Sequence, residues 1–135
     1  MSQENVEIVR RGYEAFNRGD WDAALEVADP EIEWRLHGEL ALDVQQTVRG
    51  REALKELWAS FFDAWDDYNM ELLDLIEAPD GRLLATVHFT AVGLGSAVPI
   101  DLTYFWLYLV RDGRIAAVDI YLDRAEALEV AGLSE

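Results

Sequence analysis

Apolar positions recur at helical spacing in the first part of the chain. From Asn5 to Arg18, Val6, Val9, Tyr13 and Phe16 form one stripe, which predicts a helix with one buried side. Gly19 ends the pattern, and Asp20 is placed to cap a short second helix from Trp21 to Ala28. Asp29-Pro30 stops that helix, because the residue before a proline is pushed out of the helical region. Between Glu31 and Leu36 the period falls to two, with Ile32, Trp34 and Leu36 on one side, as in a half-buried strand. His37 to Gly50 is the least periodic stretch and is expected to be a mobile loop. Arg51 to Asp67 carries the strongest helical stripe, built from Leu54, Leu57, Trp58, Phe61, Phe62 and Trp65.

The second half reads as strands: Met70 to Ala78, Arg82 to Gly93, Val98 to Val110 and Arg114 to Leu122. Pro79-Asp80-Gly81 and Asp112-Gly113 supply the positive φ that tight hairpin turns demand. Asp123 is placed to cap a last helix, Arg124 to Ala131, which Gly132 closes. The order α-α-β-α-β-β-β-β predicts an α+β fold: a curved antiparallel sheet with the N-terminal helices and the long helix over its apolar, concave face. With no repeat, linker or low-complexity segment, residues 1–135 are expected to be one domain.

Strand alternation divides the late strands into two sets. One holds Val87, Phe89, Thr103, Phe105, Leu107, Leu109, Val118, Ile120 and Leu122, almost pure hydrocarbon, and is expected inside. The other holds His88, Tyr104, Trp106, Tyr108, Asp119 and Tyr121, whose polar tips suit an outer surface covered in part by a partner. A bulge or register slip near Gly93 to Gly95 would exchange the faces of a strand.

Composition narrows the function. The net charge is −16, from 27 acids against 11 bases, and no basic cluster is present. Nucleic acid and anionic membranes would be repelled. The chain has no Cys, which excludes disulfides, thiolate nucleophiles and Cys-ligated metals. Met1 to Arg11 reads as a polar helix and no apolar run reaches membrane-spanning length, so the cytoplasm is the expected location.

Several stretches carry a family resemblance: Tyr13-Glu14-Ala15-Phe16-Asn17-Arg18-Gly19-Asp20, the Asp29-Pro30 stop before a strand holding Trp34, and Gly50-Arg51-Glu52-Ala53-Leu54 opening the long helix. The ending, Arg111-Asp112-Gly113-Arg114-Ile115 through Tyr121-Leu122-Asp123-Arg124-Ala125-Glu126-Ala127-Leu128, belongs with them. Over almost its whole length the chain resembles the SnoaL-like polyketide cyclase group of the nuclear-transport-factor-2-like superfamily. The resemblance implies a cone of curved sheet around a pocket, and often a homodimer through the outer sheet face. It also implies a range of reactions, so fold alone does not choose among them. The ketosteroid isomerases' helix tyrosine falls on Gly12, their base on Trp34 or Arg35, and their protonated Asp near Phe105. The cyclases' acid/base Asp falls on Ile120. None of these residues can accept a proton as enolate chemistry requires.

Asp119, which adjoins Ile120, is the leading catalytic candidate, with His88 as a possible relay partner. Their parity gives both a plainer reading, as outer-face residues. Tyr13, Phe16, Trp34, Trp58, Phe61 and Trp65 are expected to line a ligand pocket, with Phe89, Phe105 and Ile120 from the sheet. Plain core packing is the commoner fate of such aromatics, and in a cone fold both can hold. Trp106, Tyr108 and Tyr121 form the expected dimer face. His37 and His88 are the only imidazoles and lie far apart, so no metal is expected, and no cofactor. Gly93-Leu94-Gly95-Ser96 leads into a strand and lacks the helix N-terminus that cradles phosphate. The leading expectation is a pocket for a small hydrophobic, cyclic metabolite. The alternatives are an isomerase, cyclase or dehydratase acting through Asp119 with His88, and a homodimerisation module without a ligand.

Overall fold

A computed structural model of the chain describes residues 3–37, 47–63, 65, 67–93 and 99–133. Helices α1 (Gln3–Asn17) and α2 (Trp21–Glu26) lead into strand β1 (Ala28–Leu36), and β2 (Thr47–Arg49) precedes helix α3 (Arg51–Phe62). Strands β3 (Asn69–Glu77), β4 (Leu83–Val92), β5 (Pro99–Arg111) and β6 (Arg114–Tyr121) follow, and α4 (Arg124–Ala131) closes the order. The six strands form one curved, unclosed sheet in the order β2-β1-β6-β5-β4-β3. Among the described residues no helix is long and apolar enough to cross a membrane.

Local chemistry sets the element ends. The Asp20 carboxylate accepts a hydrogen bond from the Ala23 N–H at 3.2 Å and so caps α2. Asp112 and Gly113, both at positive φ (54° and 76°), make the two-residue turn that joins β5 to β6. Three expectations change. The sheet is mixed, because the last strand of the meander meets β1 running the same way, with Trp34 opposite Val118 and Arg35 opposite Asp119. Helix α3 ends at Phe62, short of Asp67, and Trp65 instead bridges to Gly93. Strand β2 occupies the end of the stretch expected to be a loop. The rest of that loop, 38–46, lies outside the described residues, as do residues 94 and 95 of the expected bulge.

The inner face of the sheet is fixed by register. Ala85, Trp106 and Ile120 are cross-strand neighbours, and all three belong to the main core beneath α1, α2 and α3. On the opposite face Leu84, Leu107 and Asp119 are neighbours. For β4 and β6 this matches the expectation that Val87, Phe89, Val118 and Ile120 point inward. For β5 it is the reverse. Tyr104, Trp106 and Tyr108 point into the core, while Phe105 and Leu107 point outward. The cause is α4: Ala127, Leu128 and Ala131 cover the outer face and bury Phe105 and Leu107 beneath them. A strand buried on both faces has no hydrocarbon side that marks the interior.

Candidate functional site: an aromatic cavity under the long helix

Between α3 and the inner face of the sheet lies a cavity of about 140 Å³. Phe16 closes it from α1, and Leu57, Trp58, Phe61 and Phe62 cover it from α3. Its floor is Trp34 and Leu36 of β1, Met70 of β3, Tyr104 and Trp106 of β5, and Ile120 of β6. The i, i+3, i+4 spacing of α3 puts Trp58, Phe61 and Phe62 on one side of the helix, and the two-residue period of β5 brings Tyr104 and Trp106 together.

The rings are mutually braced. Phe16 sits edge-on to Trp58 at 4.8 Å between centroids and to Trp106 at 5.7 Å, and Trp34 meets Trp106 edge-on at 5.4 Å. Such edge-to-face pairs orient the rings beyond what area burial alone does. A second, smaller cavity of about 30 Å³ lies against the same rings, bounded by Tyr13, Trp58, Trp106 and Tyr108. The Tyr13 hydroxyl and the indole nitrogens of Trp58 and Trp106 are buried without a hydrogen-bond partner. Burial raises the Tyr104 phenol to about 12, and burial with the neighbouring Glu71 carboxylate raises Tyr13 to about 12. Tyr108 is pushed up by burial and by the adjacent Tyr13.

No carboxylate, imidazole or cationic side chain lies on the described wall of either cavity. A charged network sits on the other face of the sheet, around Asp119 and Glu33. Asp119 accepts from Arg35 at 3.0 Å and lies 2.9 Å from His37 Nε2, while Arg35 and Arg49 each donate to Glu33 at 2.6 Å. His37 stacks on Tyr121, with ring centroids 4.4 Å apart and planes 8° from parallel. The two arginines pull the Glu33 carboxyl down to about 2, the hydrogen bond from Arg49 being the largest single cause and that from Arg35 the next. Among the described residues no three His, Cys, Asp or Glu side chains gather as metal ligands would.

Each candidate residue now has a place. Phe16, Trp34, Trp58, Phe61 and Ile120 stand on the wall of the larger cavity, and Tyr13 on that of the smaller. Phe89 and Trp65 pack on each other at 5.8 Å in the core beside the wall. Phe105 is on the opposite face beneath α4, removed from the cavity by the parity of β5. By the same parity Trp106 and Tyr108, expected on a dimer face, are core residues at the cavities. Tyr121 does face outward, but it is covered by α4 and by the His37 ring.

Asp119 and His88 share the outer face, where β5 separates their strands. Asp119 is engaged by Arg35 and His37, and His88 pairs with Asp101 at 2.7 Å. Neither side chain reaches the cavity, which therefore lacks the acid and base expected of this pair. Leu57, Phe62 and Met70 were absent from the expected pocket, although Leu57 and Phe62 fall on the same helical stripe as Trp58 and Phe61. Tyr104 was missed through its strand's parity.

Comparison with known proteins adds a family and a fold. A sequence profile of the SnoaL-like domain matches residues 9–118. No curated protein matches the chain. Among solved structures, an NTF2-like protein of unknown function from Burkholderia pseudomallei is similar with a TM-score of 0.79 at 19% identity, covering 97% of this chain and 98% of the other. A candidate polyketide cyclase from Xanthomonas campestris superposes with a TM-score of 0.71 at 26% identity, covering 96% and 97%. TerC, solved with polyporic acid, has a TM-score of 0.77 at 19% identity, covering 96% and 99%.

Proposed function

The chain belongs to the SnoaL-like domain family, and on that premise we propose that its aromatic cavity binds a small, neutral, cyclic metabolite. The observation that carries this reading is the cavity of about 140 Å³, whose described wall is built of rings and aliphatic side chains with no carboxylate, imidazole or amine among them. That volume matches the roughly 150 Å³ that admits benzene into an apolar protein interior. A single ring fits, and desolvating it costs no charged group on the protein. The TerC complex with polyporic acid is in keeping with ligand binding on this fold.

The described wall offers phenol and indole groups and no carboxylate or imidazole, which supports binding as the proposed role. All five tryptophans, Trp21, Trp34, Trp58, Trp65 and Trp106, lie in the surrounding ring cluster, so their fluorescence reports occupancy. Titration with a panel of single-ring compounds of six to ten heavy atoms is expected to give saturable fluorescence changes. Leu57→Phe, which fills the cavity from α3, is expected to abolish them while leaving the circular dichroism spectrum intact. A panel without a saturable response, or one that responds equally with the filled variant, would contradict the proposal.

A further inference from the structure

Exposure on the described wall of the larger cavity is confined to three residues. Eight of its eleven described wall residues are buried, none more than 7% exposed. Leu36 and Leu57 are half-buried, and Phe61 is 37% exposed. Leu57 and Phe61 stand at i and i+4 on α3 and so lie side by side, while Leu36 is the last residue of β1. These three side chains frame the mouth. Phe61 also differs from the chain's other four phenylalanines, which are all buried. A ring left in water forgoes the burial free energy that its counterparts gain. It occupies the last turn of α3, where the backbone carbonyls lack partners in a following turn.

We infer that Phe61 is the gate of the cavity: its ring covers the mouth beside Leu57 and Leu36, and swings aside to admit a ligand. The inference rests on the pocket reading above and adds the route in. Apolar surface is at hand for the open position. The Phe61 ring lies 5.9 Å from Trp65 and 6.0 Å from Phe89, which pack beside the wall and do not belong to it. Turning an exposed side chain is fast and leaves the core undisturbed, whereas moving any of the eight buried wall residues would break close packing.

A gate and a plain wall contact differ in kinetics. A side chain that only touches the bound ring acts on dissociation, while one that blocks the path also slows association. Fluorobenzene, followed by ¹⁹F NMR line shapes through a titration, reports both rates. Phe61→Ala is expected to raise the association rate about tenfold, at the lower end of the roughly one to three decades over which mutants of one site vary. Phe61→Leu should act in the same direction by less, and Phe61→Trp, which enlarges the gate, should lower the rate. Leu73→Ala trims a side chain on β3 that is 53% exposed and off the described wall, and is expected to leave both rates unchanged. If Phe61→Ala and Phe61→Leu speed dissociation alone, Phe61 is a wall contact, and the gate is refuted while the pocket stands. If Leu73→Ala speeds association as much as Phe61→Ala does, the effect is a general loosening and the gate is again refuted. If fluorobenzene binds neither the wild type nor any variant, the pocket reading fails and the gate with it.

Discussion

One guanidinium nitrogen of Arg35 lies 3.1 and 3.0 Å from the two carboxylate oxygens of Asp119, across the parallel seam between β1 and β6. Strand register puts Asp119 on the outer face, away from the aromatic cavity, and the contact holds its carboxylate there. Asp119→Asn is therefore expected to lower stability by about 1 kcal/mol, the scale of a partly exposed ion pair. Its affinity for ring ligands should stay within twofold of wild type. A variant that lost binding at unchanged stability would reverse this assignment.

The same network predicts an acid response. Glu33 is held near 2, against an ordinary value of 4.5, by hydrogen bonds from Arg49 and Arg35. A carboxyl with a depressed folded pKa contributes stability at pH above 4.5, and loses that contribution as the pH falls toward 2. Protonation of the other acids relieves repulsion in the same range, so the comparison must be between variants. The stability difference between wild type and Glu33→Gln, taken from urea midpoints at several pH values, should shrink steadily from pH 4.5 toward pH 2. A constant difference would mean that the arginines do not act on Glu33.

At the alkaline end the sign is reversed. Tyr13 and Tyr104 each titrate at about 12 instead of 10, burial being the first cause for both. An acid whose folded pKa is raised leaves stability intact below pH 10 and lowers it as the pH climbs from 10 toward 12, because only the unfolded chain ionises there. Absorbance at 295 nm should show these tyrosines silent at pH 11 in the folded protein and ionised at once on adding guanidinium. Full ionisation at pH 10.5 without unfolding would place their hydroxyls in water.

Helix α4 gives β5 its second buried face. Leu128 and Ala131 pack on the outer cluster that contains Phe105 and Leu107, and Leu128 is 5% exposed. Leu128→Ala is expected to cost about 2–5 kcal/mol, measured by chemical denaturation, while the cavity on the other side keeps its ligand affinity. A cost below about 0.5 kcal/mol, typical of surface positions, would show that α4 does not seal that face.

These two faces explain what the sequence disclosed. Helix α4 was legible to the residue because Asp123 and Gly132 bracket it, and the aromatic stripe of α3 announced Trp58 and Phe61 as cavity residues. The orientation of β5 was not legible. Its alternation sets Phe105 and Leu107 against Tyr104, Trp106 and Tyr108, and both sets are apolar enough to bury. Only the pairing of Ala85 with Trp106 decides between them, and that register depends on how many residues connect β4 to β5. The Arg35–Asp119 contact was hidden for a related reason: it spans 84 positions and requires the parallel pairing of β1 with β6.

Phe16 offers the sharpest test of the cavity itself. Its ring packs on Trp58 and Phe62 of α3 and Trp106 of β5 at centroid distances of 4.8, 5.4 and 5.7 Å, so it braces the helix and the sheet at once. Phe16→Ala removes that brace and is expected to cost about 3–5 kcal/mol, the usual range for a buried phenylalanine. The space it vacates adjoins the larger cavity, so the variant should gain affinity for a two-ring ligand such as naphthalene over benzene. Saturating ligand at about a hundredfold its dissociation constant should then return roughly 2.7 kcal/mol, visible as a rise in melting temperature. If Phe16→Ala melts lower but keeps the wild-type size preference, the rings have collapsed into the gap, and the cavity is a packing defect that does not select ligands.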